Sequence, residues 1–373
     1  MNNKKRIAII VKTVGLEYDD RVRKVSIALS HKADVKIFCL LKNNKNENGI
    51  TSYGVPFKSF KLISRKIFRQ ESFLLIKLLE FYIRVKISII KFDIIWANDE
   101  ESFLFPFFSI KSLTIWDLHE IPIQFKNKYR KCLFHFIEKK CLKIIHANKY
   151  RLNYLVQTKL ISYPEKHTFI NNYPDREFLF SNQIPLYFNS FKLWLNNTNY
   201  VYLQGLANSN RYPFNTISSI LESTKYKIVV AGNFDKNDHK KLSDKYNNLF
   251  YEKVLFIGMI DQLIIPAYLK NAKFSIILYN SDTPNGQFCE ANRFYQAIIL
   301  GVPIICGSNK PMAEIVKNKL LGVSIDSDGR NIYDIINAIR ILESNYELFK
   351  ENCITNGKQY LWNDNVIKEE WWN

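Results

Sequence analysis

The sequence predicts an α/β protein of two doubly wound domains, each a parallel sheet with helices on both faces. Its 373 residues are 47% hydrophobic, enough to fill two cores at about 150 residues per domain. Short apolar, β-branched runs alternate with stretches of helical spacing from end to end. The alternation stops at an irregular connector over residues 181–199 and then starts again, which indicates a second domain.

The individual elements follow from these runs. In the first half, strands are predicted at residues 7–12, 35–41, 93–97, 113–116, 143–147 and 167–170. Asp20 begins a helix, and another precedes the strand at 143–147 and covers residues 125–141. In the second half, strands are predicted at residues 200–204, 227–231, 254–257, 274–279 and 302–306. Pro213 suits the first turn of a helix, and residues 292–300 form another.

Composition limits the partners and the compartment. The chain has 53 basic and 35 acidic residues, a net charge of +18, which favours nucleic acid, anionic lipid or a phosphorylated substrate. An AT-rich genome would also produce this composition, so the charge alone selects none of them. The six cysteines form no C-x-x-C pair, which predicts a reduced, cytosolic protein without structural metal. No uncharged apolar run is long enough for a transmembrane helix, and the first run is predicted as a strand, not a signal peptide.

Glycine, polar and charged residues gather where the predicted strands end. They are Gly15, residues 117–120, Gly205, Gly232 and residues 280–287. Ligands of open parallel sheets bind beyond the carboxyl ends of the strands. If the two edges face each other, they line a single cleft between the domains.

Four segments share their order with the motifs of one family. Residues 288–305 read Phe-Cys-Glu-Ala-Asn-Arg-Phe-Tyr-Gln-Ala-Ile-Ile-Leu-Gly-Val-Pro-Ile-Ile, residues 20–24 Asp-Arg-Val-Arg-Lys, residues 117–120 Asp-Leu-His-Glu and residues 170–174 Ile-Asn-Asn-Tyr-Pro. They resemble GT-B glycosyltransferases of family 4, also called glycosyl transferases group 1. The resemblance implies two Rossmann-like domains facing across a cleft.

On this resemblance the domains take different roles. Residues 1–185 would form the acceptor-side domain and residues 196–355 the domain that binds a nucleotide-sugar donor. Residues 356–373 resemble the family's final helix, which packs back on the first domain.

The donor segment also makes physical sense from its residues. Where Asn292 begins a helix, backbone N–H groups and the helix dipole favour an anion, here the diphosphate of the donor. Arg211 and Arg293 are the candidates that neutralise it, because guanidinium groups bind phosphate oxygens in pairs. An arginine in solvent at a helix start is the alternative. Gly205 and Gly232 complete this predicted donor site.

Two positions depart from the family. Gln296 stands where the family has a Glu that accepts hydrogen bonds from the ribose; glutamine keeps a carbonyl acceptor but lacks the charge. Weaker nucleotide binding, a different hydroxyl pattern or a lapsed catalyst would each follow. Phe288 stands where the family has its other carboxylate, so Glu290 is the candidate carboxylate near the donor sugar, against a surface Glu as the alternative.

His119 and Gly15 are the candidates in the first domain. His119 follows a predicted buried strand, so we expect it to contact the donor sugar or the acceptor and, with Glu290, to form the catalytic pair; a structural histidine is the alternative. Gly15 has no Cβ and would let its loop approach the donor sugar closely. No Asp-x-Asp motif is present, and no metal site is expected.

Residues 57–91 predict contact with an anionic membrane surface. Basic residues recur at spacings of three and four and would share one helical face: Lys58, Lys61, Arg65 and Arg69. The opposite face would be apolar: Phe60, Ile63 and Ile67. A second segment, residues 72–91, has one narrow polar stripe: Lys77, Glu80, Arg84, Ser88 and Lys91. It is equally well explained as a buried crossover helix whose stripe faces solvent.

The resulting functional prediction is a retaining, metal-independent hexosyltransferase. It would move a sugar from a UDP- or GDP-sugar to a saccharide or lipid-linked acceptor in cell-surface polysaccharide assembly, with no cofactor besides this substrate. We expect a cytoplasmic protein, peripheral on the inner face of the membrane. The alternatives are a divergent or non-catalytic nucleotide-sugar-binding GT-B protein, including an epimerase, and a basic nucleic-acid-binding protein. The last is disfavoured because no helix-turn-helix, RNA-recognition signature or zinc spacing is present.

Overall fold

The computed structural model describes residues 4–68, 72–108, 113–122 and 127–372. It divides into two compact units, Met1–Asn171 with Asn363–Asn373, and Asn172–Trp362. Each unit contains one mainly parallel sheet, so the predicted α/β class with two doubly wound domains is confirmed. Residues 172–185, which we assigned to the first domain, belong to the second unit, where Phe178 packs into the core.

The sheet of the first unit has eight strands. They are β1 (Arg6–Thr13), β2 (Asp34–Leu41), β3 (Asn48–Ile50), β4 (Pro56–Ser59), β5 (Ile94–Asn98), β6 (Leu113–Leu118), β7 (Lys143–His146) and β8 (His167–Phe169). Their order in the sheet is β3-β4-β2-β1-β5-β6-β7-β8. All neighbours are parallel except β3 and β4.

Helices connect these strands. They are α1 (Asp20–Ser30), α2 (Ser64–Ile67), α3 (Leu74–Ile89), α4 (Leu104–Phe108), α5 (Lys128–Lys140) and α6 (Lys149–Gln157). Side-chain caps fix several starts: Asp19 accepts from the N–H of Val22 at α1, and Asn148 accepts from the N–H of Arg151 at α6.

The sheet of the second unit has six parallel strands. They are β9 (Tyr200–Gln204), β10 (Lys227–Ala231), β11 (Val254–Gly258), β12 (Ser275–Ile277), β13 (Ile304–Cys306) and β14 (Gly322–Ser324), in the order β11-β10-β9-β12-β13-β14. The helices are α7 (Arg176–Leu179), α8 (Phe188–Leu195), α9 (Pro213–Ser223), α10 (Lys236–Tyr246), α11 (Asn248–Lys253), α12 (Ile265–Leu269), α13 (Pro284–Gln287), α14 (Asn292–Ile299), α15 (Lys310–Lys319), α16 (Ile332–Ser344) and α17 (Tyr346–Gly357).

Both faces of the second sheet are buried. Val229 belongs to the apolar cluster on one face and its neighbour Val230 to the cluster on the other. Ile304 and Ile305 alternate in the same way. Burial on both faces explains why these strands are continuous apolar runs in the sequence.

Two predicted segments differ from the structure. The basic helical face expected over residues 57–69 does not form, because Lys58 lies in strand β4, paired with Phe38 of β2, and only Ser64–Ile67 is helical. Arg69 lies outside the described residues. The predicted irregular connector at 181–199 contains α8, whose Phe191 packs against Tyr200 with ring centroids 5.5 Å apart.

Helix α3 agrees with the predicted second segment, but most of its polar stripe is buried or half-buried, and within the stripe only Lys91 is exposed. Lys77 is 2% exposed. Glu80 is half-buried and accepts hydrogen bonds from the backbone N–H groups of Ile63 and Ser64, both at 2.8 Å. Within the described ranges, no helix is long and apolar enough to cross a membrane.

The end of the chain returns to the first unit without a long helix. In place of a helix over 356–373, α17 ends at Gly357 and is followed by 3₁₀ turns at Lys358–Tyr360, Asp364–Val366 and Glu369–Trp371. Ile367 is fully buried, and its carbonyl accepts a hydrogen bond from Lys32 Nζ at 2.5 Å.

Candidate functional site

Two glycines mark the carboxyl edge of the second sheet. Gly205 follows β9 and Gly232 follows β10, with φ of +68° and +94°, a conformation that favours glycine. The N–H of Gly205 donates to the carbonyl of Ala231 at 2.9 Å, which fixes the two strand ends side by side. A Cβ on Gly205 would lie 2.8 Å from Arg211 Nη1 and 2.9 Å from Arg293 Nη1. The missing side chain therefore leaves room for two arginines.

The two arginines converge on one carbonyl and one ring. Both Nη1 atoms donate to the Gly205 carbonyl, and Arg293 also donates to the carbonyl of Gln204. Their guanidinium carbons lie 4.9 Å (Arg211) and 4.8 Å (Arg293) from the centroid of the Tyr279 ring. We call Arg211, Arg293 and Tyr279 the arginine pair and its ring. The sequence did not single out Tyr279, although it ends a predicted strand at this edge.

The arginine pair places positive charge where little water reaches it, because Arg293 is buried. Arg293 is 7% exposed, and its Nε and Nη2 atoms are buried without a hydrogen-bond partner in the described part of the chain. Burial lowers the pKa of Arg293, and the charge of Arg211 lowers it further against the opposing effect of Tyr279. Neither arginine has a carboxylate within 4.0 Å among the described residues. An arrangement of this kind favours an anionic ligand with several oxygens.

The start of α14 adds a second feature of an anion site. Its N-cap residue, Ala291, has no side chain that could accept from the N–H groups of the first turn. Asn292 and Arg293 are the first two residues of this eight-residue helix. The predicted residues Arg211, Gly205 and Arg293 are thus together in the structure, with Asn292 next to them in the chain, and their chemistry suits a phosphate or diphosphate.

Gln296 lies one turn further along α14 and is 1% exposed. Its Nε2 donates to Oε1 of Gln262 at 2.9 Å, while its own Oε1 is buried and accepts no hydrogen bond within the described ranges. That carbonyl can accept from a ligand hydroxyl. Gln262 was missed from the sequence; its only signal is that it follows β11 at the same sheet edge.

Glu290 is oriented by a phenol. Tyr295 Oη donates to Glu290 Oε1. Burial and the charge of Glu290 raise the pKa of Tyr295 well above its usual value, so this phenol stays a donor. The rings of Tyr173 and Tyr360 pack on Tyr295 with centroids 4.6 and 5.0 Å away. The structure thus places Glu290 beside the start of α14, with its Oε1 bound to Tyr295.

In the first unit, one guanidinium joins three of the motif segments. Arg21 donates to Asp117 through Nε (3.1 Å) and Nη2 (2.7 Å), and through Nη1 to the carbonyl of Ile170 at 2.7 Å. Both side chains of this ion pair are at most 4% exposed. The pair therefore holds the end of β6, where His119 follows, in a fixed relation to α1.

His119 lies among carboxylates. Its Nδ1 is 3.7 Å from Asp99 Oδ2, and its backbone carbonyl accepts from Arg151. The pKa of Asp19 is raised by burial, with the charge of His119 acting in the opposite direction. Burial and the neighbouring charges of Asp99, Glu120 and Glu101 raise the pKa of Glu100 to about 8. A histidine in this acidic setting suits hydrogen bonds to sugar hydroxyl groups.

Gly15 makes room for a neighbouring ring, and its expected contact with the donor sugar stays a prediction. Its φ of −173° is extended backbone that any residue adopts. A Cβ there would lie 3.0 Å from Cδ2 of Tyr18, so glycine makes room for that ring. No cluster of metal-ligating side chains occurs in the part of the chain that the structure describes.

Comparisons with known proteins bear on the family and the fold of this chain. Residues 214–360 match the family model described as Glycosyl transferases group 1. Sucrose-phosphate synthase from Thermosynechococcus elongatus is similar in structure at 14% identity, with 96% of each chain covered and a TM-score of 0.73. HepE of Anabaena in complex with UDP-glucose is similar at 13% identity, with 98% of each chain covered and a TM-score of 0.73.

WaaG, a glycosyltransferase involved in lipopolysaccharide biosynthesis, is similar at 13% identity, covering 94% of this chain and 95% of that chain with a TM-score of 0.65. No curated protein matches the chain in sequence. The resemblance to glycosyl transferases of group 1, and with it the glycosyltransferase class, is confirmed over residues 214–360, and the solved structures confirm the GT-B fold.

Proposed function

We propose that this protein is a retaining, metal-independent glycosyltransferase that uses a nucleotide sugar and moves a hexosyl group from a UDP-sugar to a saccharide or lipid-linked acceptor. It needs no cofactor besides the donor. Its setting is the assembly of a cell-surface polysaccharide, by a cytoplasmic protein that lies peripherally on the inner face of the membrane. The observation behind the proposal is the arginine pair on Tyr279, with buried guanidinium nitrogens beside the start of α14.

The donor's groups have matching residues. The diphosphate contacts Arg211, Arg293 and the first-turn N–H groups of α14. Gly205 and Gly232 let the backbone approach it. The free carbonyl of Gln296 accepts from a ribose hydroxyl. UDP is favoured over GDP because HepE binds UDP-glucose on a similar fold.

Transfer with retention needs no nucleophile from the protein. The bond between the anomeric carbon and the diphosphate oxygen breaks, the acceptor hydroxyl adds from the same face, and its proton passes to the departing phosphate oxygen. Arg211 and Arg293 stabilise the charge that develops on this leaving group, which is the main catalytic contribution. His119 and Glu290 hold sugar hydroxyl groups in position.

A hollow in the first unit supports a lipid-linked acceptor. It has a volume of about 500 Å³ and lies beside the end of β5, with mostly apolar walls and acidic residues at the strand end: Leu74, Leu75, Leu78, Glu100, Glu101, Phe103, Arg130 and Leu133. An acceptor that combines an apolar portion with sugar hydroxyl groups matches such a lining. It lies near the sheet edge that holds His119, since Asp99 precedes Glu100 and contacts His119.

The test is a panel of UDP-, GDP- and ADP-sugars, with thermal stabilisation and slow donor hydrolysis as readouts, repeated with EDTA. We expect saturable stabilisation and hydrolysis with a UDP-sugar, unchanged by EDTA, and a product with the donor's anomeric configuration when acceptor extract is added. Loss of turnover with EDTA, or an inverted product, would refute the mechanism.

A second candidate is a non-catalytic nucleotide-sugar-binding protein, favoured by Gln296 in place of the carboxylate. Nucleotide-dependent stabilisation without turnover, even with membrane acceptor extract, would select it. Tight, salt-sensitive DNA binding with no effect of nucleotides would refute both.

A further inference from the structure

Helix α3 carries an arc of exposed aliphatic side chains in addition to the apolar residues that it buries. Exposed aliphatic residues recur along it and directly after it: Leu75, Ile76, Leu79, Ile83, Ile87 and Ile90. At 3.6 residues per turn they fall within an arc of roughly 120°. Ile83 is 57% exposed, Ile87 76% and Ile90 73%. Helix α3 also buries an apolar stripe that includes Leu78, Phe81 and Val85, as a surface helix does, so the exposed aliphatic arc is additional to its core-facing side.

Polar residues of the same helix form hydrogen bonds within the first unit. Glu80 accepts from Arg84 Nε at 2.8 Å and from the hydroxyl of Ser64 at 2.5 Å, in addition to the backbone N–H groups that tie α2 to α3. Lys58 Nζ of β4 donates to Ser88 Oγ at 3.3 Å. Because these contacts fix the rotation of the helix, the aliphatic arc cannot turn inward without breaking them.

Helix α2 extends the apolar surface. Ile63 directly before it and Ile67 at its end are 59% and 69% exposed. We define the α3 face as these two residues together with the six aliphatic residues above. Single exposed aliphatic side chains are ordinary, whereas a contiguous patch on one helix pair marks an interaction surface.

The exposed charges around the α3 face are mainly positive, which favours an anionic binding partner. Lys61, Lys66, Lys86 and Lys91 are exposed there. The acidic Glu80 is half-buried and hydrogen-bonded, and no other carboxylate lies in the described residues between 61 and 92. Glu100 and Glu101 share the hollow with Leu75, at the first turn of α3, away from the lysines at 86 and 91. A second copy of the face would bring lysines against lysines, whereas a bilayer with anionic headgroups offers the opposite charge.

We propose that the α3 face binds an anionic lipid bilayer, with its aliphatic side chains at the boundary of headgroups and acyl chains and its lysines against lipid phosphates. This rests on the proposed peripheral membrane location and assigns it to specific residues. The 16 residues of α3 span about 24 Å, so the helix lies in the plane of the interface. Lys86, whose Nζ is 5.8 Å from the Tyr82 ring centroid, extends from within the aliphatic arc to the headgroups.

Vesicle sedimentation tests the proposal. The wild type and the double variant Ile83→Glu/Ile87→Glu are mixed with vesicles of equal parts phosphatidylcholine and phosphatidylglycerol, and with phosphatidylcholine alone. We expect the wild type to bind the anionic vesicles, more weakly at high salt, and the double variant to bind about tenfold less or worse. Equal binding by both proteins, or no binding by the wild type, would overturn the proposal.

A matched control separates charge from position. Leu193→Glu/Leu348→Glu adds the same two negative charges at exposed aliphatic residues of the second unit, and we expect it to bind like the wild type. An equal loss in this control would refute the assignment to the α3 face. So would a wild-type dimer in sedimentation equilibrium that Ile83→Glu/Ile87→Glu converts to monomers.

UDP-dependent thermal stabilisation is measured on all three proteins. The α3 face lies in the first unit and the arginine pair in the second, so the variants should keep it. Vesicle binding without any UDP effect in the wild type would contradict the proposed function and leave the membrane surface standing.

Discussion

At the scale of single residues, the Tyr279 ring offsets the repulsion between two neighbouring arginine charges. Arg211 and Arg293 both approach one carbonyl, and their guanidinium carbons lie within 4.9 Å of the same ring. Each cation–π contact contributes on the order of 0.5–2 kcal/mol, more where water is excluded. We infer that the ring holds the two cations together in the absence of a phosphate, and that it is a positioning residue.

Substitution of Tyr279 tests this role. Tyr279→Phe keeps the ring and should leave the Kd for UDP within about twofold of the wild type, whereas Tyr279→Leu should raise it about tenfold, or about 1.4 kcal/mol. Isothermal titration calorimetry gives both values. Equal effects of the two substitutions would show that the ring does not position the arginines.

Gln296 is a second residue-scale test. Gln296→Glu should tighten UDP binding several-fold, because a carboxylate accepts more strongly from ribose hydroxyl groups than the present carbonyl does. Gln262, its present partner, can turn its own amide to donate. Gln296→Leu serves as the control and should weaken binding. If titration calorimetry finds the same Kd for all three, this position does not meet the ribose.

At the scale of elements, the strands buried on both faces were predicted closely, because burial makes them continuous apolar runs. The short strands β3, β4 and β14 were missed, and the residues of β4 were assigned to a basic helix. Lys58 shows why: its spacing to Lys61 and Arg65 suits a helix, but its backbone pairs with β2, a tertiary contact that periodicity does not record.

A buried network ties three elements of the first unit together. His146 Nε2 of β7 lies 2.8 Å from His167 Nδ1 of β8, and His167 Nε2 lies 3.0 Å from Glu138 Oε1 of α5. Burial lowers the pKa of His146 well below its usual value, and the charges of His167 and Arg151 lower it further. Although burial opposes it, hydrogen bonds from His167 and two backbone N–H groups lower the pKa of Glu138.

This network predicts acid sensitivity. Because the pKa of His146 is lower in the folded state, the unfolded chain binds a proton that the folded chain excludes, and stability falls as pH drops below about 6.5. From pH 7.5 to 5.5, the wild type should lose roughly 1 kcal/mol more free energy of unfolding in urea than His146→Gln. His31→Gln, at a 62% exposed side chain, is the control and should follow the wild type. Parallel pH profiles for wild type and His146→Gln would contradict this origin of the acid sensitivity.

At the scale of the whole molecule, the sequence was sufficient for the fold class, and it selected two arginines that lie together in the structure. Arg211 and Arg293 were chosen from helix starts and strand ends, and the structure brings them together. Arg21 and Asp117 lie 96 positions apart in the chain, so their bidentate ion pair could not be predicted from sequence spacing. Tyr279 and Gln262 were missed because neither residue type is distinctive at a strand end.

The α3 face also depends on contacts between distant residues that the sequence does not record. The sequence placed a helix and its polar stripe correctly over residues 72–91 but assigned the stripe to solvent. Only the contacts of Glu80 and Lys58 show that most of the stripe binds other elements of the first unit, whereas the aliphatic arc is exposed.

The central claim is that Arg211 and Arg293 bind the diphosphate of the donor, and calorimetric titration of the full chain with UDP and with uridine tests it most directly. We expect the wild type to bind UDP saturably and far more tightly than uridine, and Arg211→Ala/Arg293→Ala to raise the Kd for UDP about 100-fold, since charge-assisted hydrogen bonds contribute roughly 1.5–3 kcal/mol each. Arg340→Ala removes an exposed arginine of the same unit and should bind like the wild type. UDP binding that survives unchanged in the double variant, with its fold intact by circular dichroism, would contradict the claim.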